Sequence, residues 1–490
     1  MSDNYKKGLK ATALFGGVKI YSILISVIQN KFVAVWLGTE GMGISGLLSQ
    51  TTSMITTLTN FGLGGSAVRD VAAANATNDK HEISRTVIVL RRLVWITGLL
   101  GTIVTAILSS WLSKLVFGND NFTTAFLLLS ITLLLNQISS GQNVLMQGLR
   151  KYNYLAKSNV FGQTIGLLIT VPLYFIWRID AIVPVMIMSS VTSLLLSFFF
   201  SRKIPIEEVK VDKLTTINRG KDMAKLGLAM SFSGIITMLL AYVLRLFISN
   251  KGGIDEVGLY TAGFAIAETY VGLIFTAMAT DYYPRLCAVI RDKVKTKNLV
   301  SDQAMIGLLL LFPILIAFII FSPLVIRILL SSSFLSLIFF LKTVMLGMLF
   351  RMCSWSLGYV IIANKDSKLL IFSSIIFGSF MLIIKLTLYY FGGIDGLAIA
   401  YVINYIFHLL WLSLLVYLRY KFHLNKEVLK YLGCIAVMVV ICYFISVYFD
   451  HIVATIGLCF MLLLAIAFTL YQLEIRAGLV TYVKQKIHKK

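Results

Sequence analysis

Six cations of this sequence sit inside long apolar runs: Lys19, Lys31, Arg245, Lys342, Arg351 and Lys385. One carboxylate, Glu268, lies as deep, and Asp281 closes the run that carries it. If these runs cross a bilayer, an unpaired arginine at the centre costs on the order of 2.5–3.5 kcal/mol, so each charge needs an account. A long side chain within about two turns of a helix end can reach water along its own stem. That suffices for Lys342 and Lys385. Lys19, Lys31 and Arg245 are borderline, Arg245 lying in MLLAYVLRLFISN (238–250) towards the end of its run. Arg351 is near the middle of its run and is hardest to explain this way. Together the cations outnumber nearby acids and point to a basic cavity for an anionic substrate, with Arg245, Arg351, Lys19, Lys31 and Lys385 as its candidates. Arginine suits phosphate in particular, because its planar fork offers paired donors to two oxygens. Glu268 is expected either to pair with Arg245 across neighbouring helices or to titrate with a driving ion, and Asp281 is grouped with it.

The elements that carry these charges are membrane spans. The chain has 490 residues, 58% hydrophobic and 13% charged, with a mean hydropathy of +0.86. A soluble domain is nearer one quarter charged, and runs of about 20 apolar residues imply spanning helices. Apolar windows fall at 12–37, 45–67, 93–112, 122–146, 158–177, 181–201, 226–249, 257–280, 304–322, 336–362, 369–391, 394–417, 429–449 and 452–473. The expected fold is therefore an all-α polytopic membrane protein of about fourteen transmembrane helices. The first run follows a basic start, MSDNYKKGLK, but is too long for the apolar core of a signal peptide, so it reads as an uncleaved first span.

Charge sets the orientation. With both termini cytoplasmic, only Lys114, Arg178, Lys251 and Arg327 of the 44 Lys and Arg fall in outward loops. Those loops also carry Glu40, Asp120, Asp180, Asp255, Glu256, Asp395 and Asp450. The asymmetry recurs along the chain as the positive-inside rule requires. It also explains the net charge of +22 without nucleic acid as a partner.

The sequence repeats. A shift of 215 residues aligns Lys10 with Lys225, Ile20 with Ile235, Leu24 with Leu239, Phe32 with Phe247, Gly38 with Gly253, Gly43 with Gly258, Ser158 with Ser373 and Tyr174 with Tyr389. The turns GTEGMG and GIDEVG match, as do the ID pairs at 179–180 and 394–395. Two pseudo-symmetric six-helix lobes follow, 1–203 and 226–421, joined by a cytoplasmic linker, 204–225. Residues 422–490 add two C-terminal helices and a basic tail outside the repeat. Parallel repeats of this kind place a substrate site between lobes near the midplane.

Enzyme chemistry has no foothold here. There is no GxxxxGK[ST], no HExxH and no DxD, and the outward loops are too short to build a glycosyltransferase or polymerase site. GLGGS (62–66) reads as close packing rather than phosphate binding. His408 reads as a packed polar residue. Cys287, Cys353, Cys434, Cys442 and Cys459 form no CxxC pair, so neither a disulfide framework nor a metal or other cofactor is expected. The polar stretches SQTTSMITTLTN, Gln29 with Asn30, and NQISSGQN (136–143) fit a hydrated cavity and equally fit hydrogen bonds between helices. Pro172, Pro184 and Pro313 could kink helices that rock.

The stretch RLFISNKGGIDEVGLYTAGFAIAETYVGLIFTAMATDYYPRLCAV (245–289) resembles the seventh and eighth helices of O-antigen and related polysaccharide flippases. These form a branch of the multidrug/oligosaccharidyl-lipid/polysaccharide exporter superfamily. Arg245 followed by G-x-D-E-V-G-x-Y (253–260), then DYYPRL (281–286), carries the likeness, and LGTEGMGISGL (37–47) resembles its first-lobe counterpart. The resemblance implies a bacterial inner-membrane flippase that moves an undecaprenyl-pyrophosphate-linked oligosaccharide from the cytoplasmic to the periplasmic leaflet by alternating access. It also implies membrane lipids, a polymerase and chain-length machinery as partners, and proton or sodium coupling. Of the site residues, Arg245 alone is supported by the motif. The two extra helices are similar to those of the lipid II flippase, which stays a rival reading. A multidrug antiporter would want acids lining a lobe, and the first helix has none.

Overall fold

The structure, a computed structural model, describes residues 3–364, 366–448 and 451–477. Among them there are helices and helical turns and no strand. In order these are α1 (Asp3–Trp36), α2 (Gly38–Thr59), α3 (Leu63–Ala76), α4 (Lys80–Ile107), α5 (Ser109–Phe117), α6 (Thr123–Gly148), α7 (Tyr152–Trp177) and α8 (Ile182–Ser201). Then come α9 (Lys213–Phe264), a π-helical segment (Ala265–Val271), α10 (Gly272–Val289), α11 (Lys293–Leu329), α12 (Ile338–Ala363), α13 (Ser367–Tyr420), α14 (Lys426–Tyr448) and α15 (His451–Ala477). Helices dominate because inside a bilayer every backbone polar group must be satisfied within its own segment.

Two elements are longer than one crossing. Helix α9 contains Gly253 at φ 84, ψ 178, and α13 contains Gly393 at φ 55, ψ −141, so each is two helices joined at a turn. With those divisions the fourteen expected spans appear in order. Among the described residues, nine continuous stretches are long and apolar enough to cross a membrane, and two of them, Tyr152–Ser201 and Lys368–Tyr420, each hold two expected spans.

Boundaries differ from expectation where local chemistry intervenes. The second span ends at Thr59 rather than at 67: Gly62 donates its backbone N–H to the Asn60 side chain at 2.8 Å and takes φ 67, which breaks the helix. The third span starts earlier, at Lys80, because Asp79 accepts a cap bond from the His81 N–H at 2.9 Å. The linker is extended only to Asp212, after which helix runs from Lys213 into the next span.

The repeat is visible in the backbone. Left-handed φ values occur at Gly38 (69) and Gly253 (84), and again at Arg178 (52) and Gly393 (55). Both pairs are 215 residues apart, so corresponding turns of the two repeats are bent in the same way.

The chain divides into two compact units, Met1–Gly258 with Leu329–Ser331, and Leu259–Ile328 with Ser332–Lys490. In the first, Val71 of α3, Leu90 and Val94 of α4, Leu145 and Met146 of α6, Leu155 of α7 and Phe200 of α8 form a core. The matched turns meet there. A Cβ on Gly43 would collide with the carbonyl oxygen of Ile254, and one on Gly258 with that of Thr39, while the Thr39 hydroxyl donates to the Asp255 carboxylate. Only glycine permits so close a backbone approach. Gly227 of α9 similarly sits against the backbone of Phe61 and Gly62.

In the second unit, α11 and α12 are buried on most sides. Leu308, Leu311, Phe312, Leu315 and Ile316 of α11 and Met345, Met348 and Met352 of α12 are all inaccessible, as expected of helices apolar all round. The two additional helices pack here: Lys342 donates to the Ser446 carbonyl at 3.1 Å, Thr343 and Tyr443 share a 3.3 Å hydrogen bond, and Thr469 donates to the Leu309 carbonyl at 3.0 Å.

Candidate functional site

Arg351 and Glu268 of the second unit form one cluster. Arg351 lies at the middle of α12, about equally far from Ile338 and Ala363, where no stem reaches water. Its Nη2 is 2.7 Å from Glu268 Oε2, and its Nη1 donates to the Tyr401 hydroxyl at 2.9 Å. That hydroxyl in turn donates to Glu268 Oε1 at 3.0 Å. Both carboxylate oxygens are thus engaged, and the triangle Arg351–Tyr401–Glu268 is closed. The guanidinium carbon lies 4.9 Å from the centre of the Phe275 ring and 5.4 Å from that of Tyr405, at distances where ring faces attract a cation.

Each partner is positioned by a different element. Glu268 projects from the π-helical segment Ala265–Val271, a wider winding that often marks functional positions. Tyr401, Tyr405 and His408 stand at i, i+4 and i+7 on the second half of α13, which places them on one face. Tyr401 and Tyr405 rings are 4.7 Å apart. His408 shares a 3.0 Å hydrogen bond with the Ser354 hydroxyl and stacks on Phe377 at 4.0 Å, so it is a packed polar residue. The amide of Asn404, on the same face, is buried with no hydrogen-bond partner among the described residues.

The sequence offered Arg245 as the partner of Glu268; the structure gives that carboxylate to Arg351. The choice follows from helix rotation, which brings 268, 351 and 401 to one point. Arg245 belongs to the first unit, half-buried on α9, one turn from Tyr242, whose hydroxyl accepts from Thr51 at 3.3 Å. Lys31, also in the first unit, donates to the Leu330 carbonyl, next to Ser331, whose hydroxyl donates to the Ala34 carbonyl at 3.0 Å. Cations are favourable at such helix C-termini. Lys385 does not reach for water: it is 7% exposed, with its ammonium 5.4 Å from the Phe264 ring centre. The side chains of Lys19 and Asp281 lie outside the described residues.

The polar stretches include both roles weighed for them and a third, bonding back onto their own helix. Hydroxyls of α2 mostly turn back onto their own helix, as in Thr51 to Leu47 at 2.8 Å and Thr56 to Thr52 at 2.8 Å. Gln137 to Thr97 at 2.9 Å and Ser139 to Ser193 at 2.9 Å join helices. Gln29 instead helps line a cavity of about 310 Å³ within the first unit, with Asn159, Gln163, Thr170, Ser189 and Ser193. The Gln163 carbonyl oxygen is buried there without a hydrogen-bond partner among the described residues.

Sequence reasoning passed over Tyr401, Tyr405 and Phe275. The available signal was the 401, 405, 408 spacing of polar-tipped rings along one face of a mostly apolar span. Chemically, the cluster holds an arginine fork ready for an anion, with an internal carboxylate occupying it.

Over residues 19–339 the chain matches the family described as Polysaccharide biosynthesis protein. It is similar to a Shigella flexneri protein described as a candidate O-antigen transporter, with 23% identity over 311 residues, 62% of this chain and 72% of that one. Among solved structures it is similar to the lipid II flippase MurJ in an inward closed conformation, with TM-score 0.73 and 14% identity, covering 95% of this chain and 99% of that one. An inward-facing multidrug resistance MATE transporter of the MOP superfamily gives TM-score 0.68 and 16% identity, covering 82% and 96%. At these identities the structural likeness is one of fold.

Proposed function

Because the chain belongs to the Polysaccharide biosynthesis protein family, a family of multi-pass membrane transporters, we propose that it is a flippase for an undecaprenyl-pyrophosphate-linked oligosaccharide. The cargo is a repeat unit of O-antigen, capsule or a related glycan, moved from the cytoplasmic to the periplasmic leaflet of the bacterial inner membrane by alternating access. Both termini are cytoplasmic in this reading, in keeping with the basic inner loops.

The observation that carries the proposal is Arg351: a guanidinium at mid-span, fixed between two rings and already paired with an anionic group. A pyrophosphate offers the same fork paired oxygens of its own and competes for it. Arg245, Lys19 and Lys385 add positive charge to the same task, and Lys31 adds its own from the helix end it caps. A transporter cycles only if some group bonds differently in its two states. Arg351 supplies that difference by exchanging Glu268 for phosphate, and protonation or sodium binding at Glu268, with Asp281 nearby in sequence, is the coupling step. The polymerase and chain-length machinery of the same pathway receive the product.

The test is surface glycan display in a strain whose own copy is deleted. Arg351→Ala and Arg245→Ala should each reduce display by more than any fall in protein level explains, Arg351→Ala the more strongly, and the double variant should abolish it. Normal display from the double variant would sink the cationic-site reading. A second reading, lipid II as cargo, is favoured by the two helices beyond the repeat and uses the same pyrophosphate anchor. Rescue of cells depleted of their lipid II flippase separates the two.

A further inference from the structure

A second cationic feature lies away from the mid-span cluster, in the first unit, where the linker helix docks on α4. A groove of about 650 Å³ is lined by Arg91, Arg92 and Trp95 of α4 and by Lys213, Thr216 and Ile217 of α9. Arg92 donates to the Thr216 hydroxyl at 2.6 Å, which ties the two walls together and fixes one guanidinium. Arg91 also stands close enough to Arg202 for the two like charges to repel. Of the neighbouring carboxylates, Glu82 is taken by Arg219 at 2.6 Å, while Asp212, beside Lys213 in sequence but outside the lining, accepts the Thr215 N–H at 3.0 Å. Among the described lining residues there are three cations and no acid, so the groove keeps an excess of positive charge with Asp212 beside it.

The other half of the feature is apolar. From the groove, α4 presents Trp95 (51% exposed), Ile96 (59%), Leu99, Ile103 and Ile107 (76%) along one exposed face. Leu214 and Ile217 are exposed on the first turns of α9, beside Lys213, in the manner of an interfacial amphipathic helix. Trp95 sits between the cations and the aliphatic stripe, where an indole favours the headgroup level. We propose that this groove binds one anionic phospholipid of the adjacent leaflet, its phosphate held by Arg91, Arg92 and Lys213 and its acyl chains laid along Trp95, Ile96, Leu99 and Ile103. An amphiphile fits because phosphate recognition and a long apolar track are joined end to end. The lipid would brace the linker helix against α4.

Native mass spectrometry and thermal unfolding of the purified full chain test this with dioleoyl phosphatidylglycerol, dioleoyl phosphatidylcholine and inorganic phosphate as probes. Phosphatidylglycerol should be retained and raise the unfolding temperature, and the other two should not. Arg91→Gln/Lys213→Gln should weaken phosphatidylglycerol binding on the order of thirtyfold. Lys157→Gln/Lys293→Gln, which removes two exposed cations outside the groove, should leave it unchanged. Arg91→Gln alone, on an exposed side chain, should weaken it roughly fivefold and is measured alongside in case the double variant does not fold. Equal loss in both double variants, equal retention of phosphatidylcholine, or equal stabilisation by inorganic phosphate would each overturn the proposal.

Discussion

Removing either partner of the Arg351–Glu268 pair has unequal consequences. Arg351→Ala strands a carboxylate with only the Tyr401 hydroxyl to satisfy it, a loss of about 3 kcal/mol that should appear as a lower unfolding temperature as well as lost export. Glu268→Gln keeps the shape, its one carbonyl oxygen accepting from Arg351 while its amide N–H donates to the Tyr401 hydroxyl, so protein level should stay normal while glycan display falls. Full display at normal fitness would show that the carboxylate's charge is dispensable for transport. Tyr401→Phe removes one hydrogen bond at each side of the triangle and should cost about 1.5–3 kcal/mol, read by thermal unfolding in detergent. The charges themselves were legible in the sequence because depth along an apolar run is a local property. Their partners were not: Glu268, Arg351 and Tyr401 come from three helices, and which faces meet depends on how each is rotated.

Elements carry the sharpest tests of packing. Gly43→Ala places a methyl group onto the Ile254 carbonyl and should destabilise by about 1–3 kcal/mol. Gly64→Ala, with open space around its Cβ, should be neutral or gain up to about 1 kcal/mol from helix propensity. Asp212, outside the spans, caps the start of α9, and hydrogen bonds from Thr215 hold its carboxyl below the usual range. Its folded pKa is depressed, so its contribution is present above the ordinary carboxylate pKa of about 3.9 and fades as pH falls through the folded value. Asp212→Ala should therefore lower the unfolding temperature at pH 7 and narrow the difference from wild type at strongly acid pH. Helix count and order could be read from the apolar windows. The break at Asn60–Gly62 could not, because an Asn side chain capturing a glycine N–H leaves hydropathy unchanged.

At the scale of the molecule, the two helices beyond the repeat are integral to the second unit. A chain ending at residue 421 strips the Ser446 carbonyl from Lys342 and uncovers Leu309 and Thr343. It should fail to give a monodisperse peak in fluorescence-detected gel filtration, whereas the full chain does. The sequence by itself determined the number of crossings, their order, and a repeat of 215 residues that the paired left-handed turns express. Each of these is one-dimensional, since a bilayer asks every crossing for about 20 apolar residues and every turn for its own local chemistry. Only the tertiary structure decided that Arg351 rather than Arg245 holds Glu268, that Lys385 is buried on an aromatic ring, and that Lys31 caps a helix end. Those outcomes rest on helix rotation and on contacts between residues far apart in the chain, which apolar periodicity leaves open.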